Sequence, residues 1–160
     1  MGSAYIAGNR PPPQMMERPM PFIRITVSGP TLASNQVSLL QMEMTELMAS
    51  VLGKRADLTS VLVEQAASAG WAIGGTPVKI AVHVDATITA GTNSAEEKAR
   101  FIEKTMRLLK SVLGSELHPA TYVVVTEVPA NAWGYDGRTQ ESQQLAARYC
   151  HGPDDRPPLN

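Results

Sequence analysis

Apolar and polar residues alternate at the head of the chain's ordered body. Ile23, Ile25 and Val27 fall on one face, and Phe22, Arg24 and Thr26 on the other, so Pro21–Ser28 reads as a strand opened by a proline. Gly29-Pro30 turns the chain, and Thr31 is placed to cap a helix. Val37, Leu40, Met44, Leu47, Met48 and Val51 then recur at helical spacing, with Gly53 at the C-terminal cap position. A second strand is expected from about Thr59 to Gln65. After it, Ala69–Gly75, Ala-Gly-Trp-Ala-Ile-Gly-Gly, has the glycine content of a hairpin. The pattern then restarts. Val78 to Thr89 is a long strand, with Ile80, Val82 and Val84 alternating. Asn93 with Glu96, or Ser94 with Glu97, makes a capping box. Ile102, Met106, Leu109 and Leu113 form a helix stripe closed by Gly114. Thr121 to Glu127 is a strand, Asn131–Gly137 a second hairpin, and Gln140 to Tyr149 a short polar helix.

The two halves are related. Ser50-Val51-Leu52-Gly53 recurs as Ser111-Val112-Leu113-Gly114, 61 positions later, and Trp71 and Gly75 recur as Trp133 and Gly137, 62 later. The same strand, helix, strand and Trp order, twice at one spacing, is an internal duplication of a βαβ unit of about 60 residues. Two strands flanking one helix are parallel and joined by a right-handed crossover. The fold class is therefore α/β: a duplicated βαβ domain, with a four-stranded sheet and two helices on one face. The other sheet face carries apolar residues without a cover, so a closed homo-oligomer is expected. The units run over 21–75 and 78–137 within a domain of 21–149, between an extended segment 1–20 and a flexible tail 150–160.

Charge and composition narrow the function. The net charge is −1, from 14 basic and 15 acidic residues, so no global field draws the chain to nucleic acid or an anionic membrane. No apolar run approaches the roughly 18 residues of a membrane span. The first 20 residues lack the apolar core of a signal peptide, and a cytoplasmic location is expected. Cys150 is the single cysteine, which excludes an intrachain disulfide and reads as a free tail thiol. No Cys/His metal spacing is present, and the hairpins do not match phosphate-binding loops, so no metal or cofactor is expected.

Met20-Pro21, Leu58-Thr59-Ser60-Val61, and an aromatic between small residues just ahead of Gly74-Gly75 together resemble the tautomerase superfamily. The first half is similar to a 4-oxalocrotonate tautomerase subunit, with short gaps around the helix and before Trp71. The two-unit length resembles the longer branches, which include macrophage migration inhibitory factor and malonate semialdehyde decarboxylase. The resemblance covers about Pro21 to Gly137. It implies a homotrimer of six βαβ units and a mature chain whose first residue, Pro21, uses its amine to move protons. Elementary chemistry agrees: an α-amino group titrates at about 7.7–8.0, and an apolar pocket lowers that further. A base near neutral pH suits abstraction of an acidic proton. If Pro21 is internal, its nitrogen is an amide without useful basicity, and the proline only opens an edge strand. Both readings stand on the sequence.

The substrate contacts are less complete. The two arginines of the 4-oxalocrotonate enzymes correspond to Thr31 and Leu62, which argues against a dicarboxylate. Lys54 matches the pocket lysine of migration inhibitory factor, Tyr122 its pocket tyrosine, and Trp71 the family's aromatic pocket wall. Arg24 is a further candidate for a substrate anion. Each has a plainer reading: a helix-dipole partner for Lys54, a sheet residue for Tyr122, hairpin packing for Trp71, and a solvated or interface arginine for Arg24. Trp133, the repeat mate of Trp71, reads as an interface residue, and His83 with Asp85 as a satisfied pair. The repeat mate of Pro21 is Val82 without a gap or Pro77 with one, so at most one amine site per chain is expected. The resemblance implies enol–keto tautomerisation of a small 2-oxo or 2-hydroxy acid with a carboxylate. The alternatives are hydration, dehalogenation or decarboxylation by the same amine, or a non-catalytic oligomer of this fold.

Overall fold

A computed structural model describes residues 19–67 and 70–150. The expected N-terminal segment, apart from Pro19 and Met20, and the tail from His151 lie outside the described residues, as does the Cys150 thiol.

The chain runs β1 (Phe22–Ser28), α1 (Ser34–Ser50), a 3-10 turn (Ala56–Leu58), β2 (Ser60–Gln65), and a small hairpin of β3 (Ala72–Ile73) and β4 (Thr76–Pro77). It continues through β5 (Ala81–Thr89), α2 (Ala95–Leu113), β6 (Tyr122–Val128), a second hairpin of β7 (Gly134–Tyr135) and β8 (Arg138–Thr139), and α3 (Gln140–Cys150). The sheet order is β2-β1-β5-β6. β1 pairs parallel with β2, and β5 with β6, as two βαβ crossovers require. The halves join through β1 and β5, which run antiparallel with Ile25 opposite Val84.

Alternation decides which side is buried. Ile23, Ile25 and Val27 of β1 and Val82, Val84, Ala86 and Ile88 of β5 are buried with Leu40, Met44 and Met48 of α1 and Phe101 and Leu109 of α2. Apart from Ala86, each such side chain stabilises the fold by about 1.5–3 kcal/mol through removal from water. Both long helices therefore cover one sheet face. The opposite face carries Phe22, Arg24 and Thr26 beside Leu62, Glu64, His83, Asp85, Tyr122 and Val124. There Leu62 and Val124 are each 38% exposed and Tyr122 70%.

Two expectations change in detail. The first helix is capped at Ala33, not Thr31: the Ala33 carbonyl accepts from Gln36 N–H at 3.0 Å, while the Gln36 side-chain oxygen accepts from Ala33 N–H at 2.9 Å. The glutamine supplies from inside the helix a contact that no side chain at Ala33 makes. The long strand starts at Ala81 rather than Val78, and Ile80 forms an isolated bridge to Leu117. Gly29 is required where the first unit passes the second. Its φ is +139°, and an added Cβ would lie 2.8 Å from the Lys79 carbonyl oxygen.

Candidate functional site

The head of β1 sits among the strand and helix ends of both units. Pro21 is buried, and its carbonyl accepts a hydrogen bond from Ser60 N–H at 3.2 Å. Phe22 lies opposite Thr87, so continuing that register places Pro21 opposite Ile88 and Met20 opposite Thr89. Pro21 also shares the parity of Ile23 and Ile25, which is the helix-covered side.

Helix α1 returns the chain to this same end of the sheet, and its termination aims Lys54 inward. Gly53 adopts φ +65°, and Lys54 N–H reaches back six residues to the Met48 carbonyl at 2.9 Å. Lys54 is thereby only 1% exposed. Its Nζ donates to Thr92 Oγ1 at 2.7 Å, and the Thr92 hydroxyl donates in turn to the Thr89 carbonyl at 2.7 Å. Next to it, Asn93 Nδ2 donates to the Leu52 carbonyl at 2.9 Å and to Glu97 Oε2 at 3.0 Å. The loop between β5 and α2 is thus clasped to the end of α1.

The electrostatics follow from burial. Loss of water pushes Lys54 down from 10.5 to about 8, against the opposing pull of Glu97 and Glu127. The Ser94 backbone N–H, then the Asn93 amide, hold Glu97 below the usual carboxylate range. Glu127 is held low first by Lys98, whose Nζ is 3.1 Å from Glu127 Oε2. Lys98 is therefore engaged, whereas Lys54 meets its carboxylates only through the field. A buried ammonium with one hydroxyl partner has donors left for a carboxylate.

The other candidates lie elsewhere in the chain. Arg24 is on the open sheet face, with Nε 3.8 Å from Glu64 Oε1. Trp71 follows the far end of β2, and its carbonyl accepts from Val78 N–H at 3.0 Å. Tyr122 opens β6 opposite His83, and His83 pairs with Thr26, four residues along β1 from Phe22. A strand rises about 3.3 Å per residue, so Tyr122 sits more than 10 Å along the sheet from the Pro21 end. One chain therefore brings Pro21 and Lys54 to one end and holds Trp71 and Tyr122 at the other. His83 and Asp85 do not bond each other: Asp85 Oδ1 accepts from the Thr126 hydroxyl at 2.9 Å. Among the described residues, no three His, Cys, Asp or Glu side chains group in a way that would hold a metal ion. No described helix is long and apolar enough to cross a membrane.

Sequence reasoning did not single out Thr89 or Thr92. The Lys54–Thr92 bond spans 38 residues, from the end of α1 to the loop before α2, and no periodicity carries it. The available signal was Asn93 and Ser94 as cap candidates, which marked the loop without showing what it holds.

A duplicated βαβ sheet with a buried proline and lysine at one end defines a class, and comparison with known proteins gives it a family. The profile of the tautomerase family, described as Tautomerase enzyme, matches residues 21–81 and again 81–141. The chain belongs to this family, as a two-repeat member. The second repeat begins at Ala81, inside the chain, so the Pro21 position has no second terminus to match it. A macrophage migration inhibitory factor-like protein from Entamoeba histolytica is similar in structure, with TM-score 0.63, 20% identity, and 74% of this chain and 97% of that one covered. A native fused 4-OT aligns with TM-score 0.63 and 18% identity over 76% of this chain and 97% of its own. The W0 fused 4-OT, a symmetric trimer, aligns with TM-score 0.67 and 14% identity over 76% and 98%. A search of curated protein sequences finds no match.

Proposed function

We propose that the protein is an enol–keto tautomerase for a small 2-oxo/2-hydroxy acid, with the Pro21 nitrogen as the base and Lys54 as the carboxylate ligand. The observation that carries this reading is that Pro21, at the head of β1, and the buried Lys54, after α1, lie at the same sheet end. With Pro21 as first residue, its secondary amine takes the enol O–H proton. The C=O bond forms as the C=C bond opens, and the ammonium returns the proton to carbon. Lys54 holds the carboxylate, and the apolar end of the core keeps water out. Lys54 has donors left for one carboxylate, whereas Lys98 is engaged by Glu127 and Arg24 lies on the other face beside Glu64. Trp71 and Tyr122 close the pocket from a neighbouring chain of a homotrimer, and the enzyme works in the cytoplasm.

The mature N-terminus is the first test. Intact mass should show a chain that begins at Pro21, and phenylenolpyruvate ketonisation, followed by ultraviolet absorbance, should then be catalysed. Pro21→Ala should lower the rate at least tenfold, whereas an unchanged rate removes the proline from the mechanism.

A second reading rests on Pro19, which is buried just before Met20. If the preceding peptide is retained, the Pro21 nitrogen is an amide and the protein is a non-catalytic oligomer of the same fold. A mass that retains residues before Pro21 decides for it.

A further inference from the structure

Thr89 ends β5 at the place where Met20 would pair, and is 2% exposed. Its backbone is used: the carbonyl accepts from the Thr92 hydroxyl that receives Lys54. Its side chain is not used, because the buried Oγ1 has no hydrogen-bond partner among the described residues. A buried hydroxyl left alone is unfavourable, and Val or Ile would fill a strand end with no such penalty. Continuing the β1–β5 register by two residues sets Thr89 opposite Met20, the residue whose peptide joins Pro21. That peptide nitrogen carries no hydrogen, since Pro21 supplies it, so it has nothing to donate to Thr89. Loss of Met20 changes this: the nitrogen becomes a secondary amine and, when protonated, carries two N–H donors.

We infer that the Thr89 hydroxyl is a positioning group for the Pro21 amine, accepting one N–H of its protonated form when Pro21 is the first residue. The inference rests on the reading of Pro21 as a free amine. The hydrogen bond turns the second N–H, and after deprotonation the lone pair, toward the side of the sheet where Lys54 would hold a substrate. It also favours the ammonium, in opposition to burial and to the positive charge of Lys54. Among the described residues, the charged groups around this sheet end are Lys54 after α1, Arg55 and Asp57 before β2, Glu96, Glu97, Lys98 and Arg100 of α2, and Glu127 of β6. None of them needs to change for the effect to be seen.

The test uses protein that begins at Pro21, which retains every described strand and helix. Nitrogen-15 proline labelling and an NMR pH titration give the midpoint of the Pro21 amine directly. In Thr89→Val, an isosteric change, the midpoint should fall by about half to one pH unit, the equivalent of one hydrogen bond. The ascending limb of the kcat/KM profile should move with it, and Thr89→Ser should restore both. An unchanged midpoint in folded Thr89→Val overturns the inference. So does an equal fall in Thr89→Ser, which would assign the effect to packing of the methyl group. A Pro21→Ala variant that keeps its rate sinks the proline base instead, and the midpoint comparison still decides the role of Thr89.

Discussion

At Lys54, chemistry and stability oppose one another. Its ammonium is buried with one hydroxyl partner and pushed down to about 8. In the unfolded chain the same amine titrates near 10.4. Between these values the unfolded state binds more protons than the folded one, so stability rises with pH from about 8 to about 10.4. The gain across that window is on the order of 3 kcal/mol. Lys54→Met keeps the length of the side chain and removes the charge. We predict that urea denaturation of this variant shows no such rise, and that at pH 7 it is as stable as the parent or more so. Ketonisation should lose about tenfold or more, chiefly through KM if Lys54 binds substrate and transition state alike. A variant that keeps both the pH-dependent rise and the rate would show that this amine is neither buried nor used. In the sequence, Gly53 marked the turn that places Lys54 at a helix end. Nothing marked its burial, because that depends on Thr92 folding over it from the other repeat.

The two long helices end in unlike ways although they are repeat mates. For α2, Ser94 Oγ accepts from Glu97 N–H at 3.2 Å and Glu97 Oε2 accepts from Ser94 N–H at 2.9 Å, one of the two boxes that the sequence offers. For α1, Ala33 has no side-chain acceptor and no acidic residue occupies the first turn. Ser94→Ala should therefore cost about 1 kcal/mol. Ala33→Asp, at an extended residue with φ −71° and ψ 152°, should add about 0.5–1 kcal/mol through the cap and the helix dipole. Both values can be read from shifts in the urea midpoint at constant slope, and equal behaviour of the two sites would contradict the assignment. The elements themselves were legible, since alternation and helical spacing act within one window of sequence. Their assembly was less so: parallel pairing inside each unit follows from the crossover, but the antiparallel seam between β1 and β5 joins residues about 60 apart. The position of Trp71 and Tyr122 at the far end of the sheet also became visible only once the strands had direction.

For the whole molecule, the divided site and the open sheet face point to the same assembly. Leu62, Val124 and Tyr122 stay exposed on a face that no described element covers, and Tyr122 is more than 10 Å along the sheet from Pro21. Packing of sheet faces around a threefold axis would bury the first set and bring the second toward a neighbour's proline. Light scattering should thus give about three times the mass of the chain, which is 17.2 kDa for all 160 residues and less for a chain that begins at Pro21. A Leu62→Glu/Val124→Glu variant should dissociate and lose activity with Pro21 and Lys54 intact. The sharper prediction uses mixed oligomers of chains that begin at residue 21. Pro21→Ala and Tyr122→Phe trimers should each be weak. Coexpression should recover about a quarter of parental activity, because random mixing unites an intact proline with an intact neighbouring tyrosine in that share of sites. Recovery above the mean of the two separate variants is the signature of a pocket shared between chains. If coexpression yields only that mean, Tyr122 does not complete a neighbour's site, and the pocket must be closed by groups near Lys54 in the same chain.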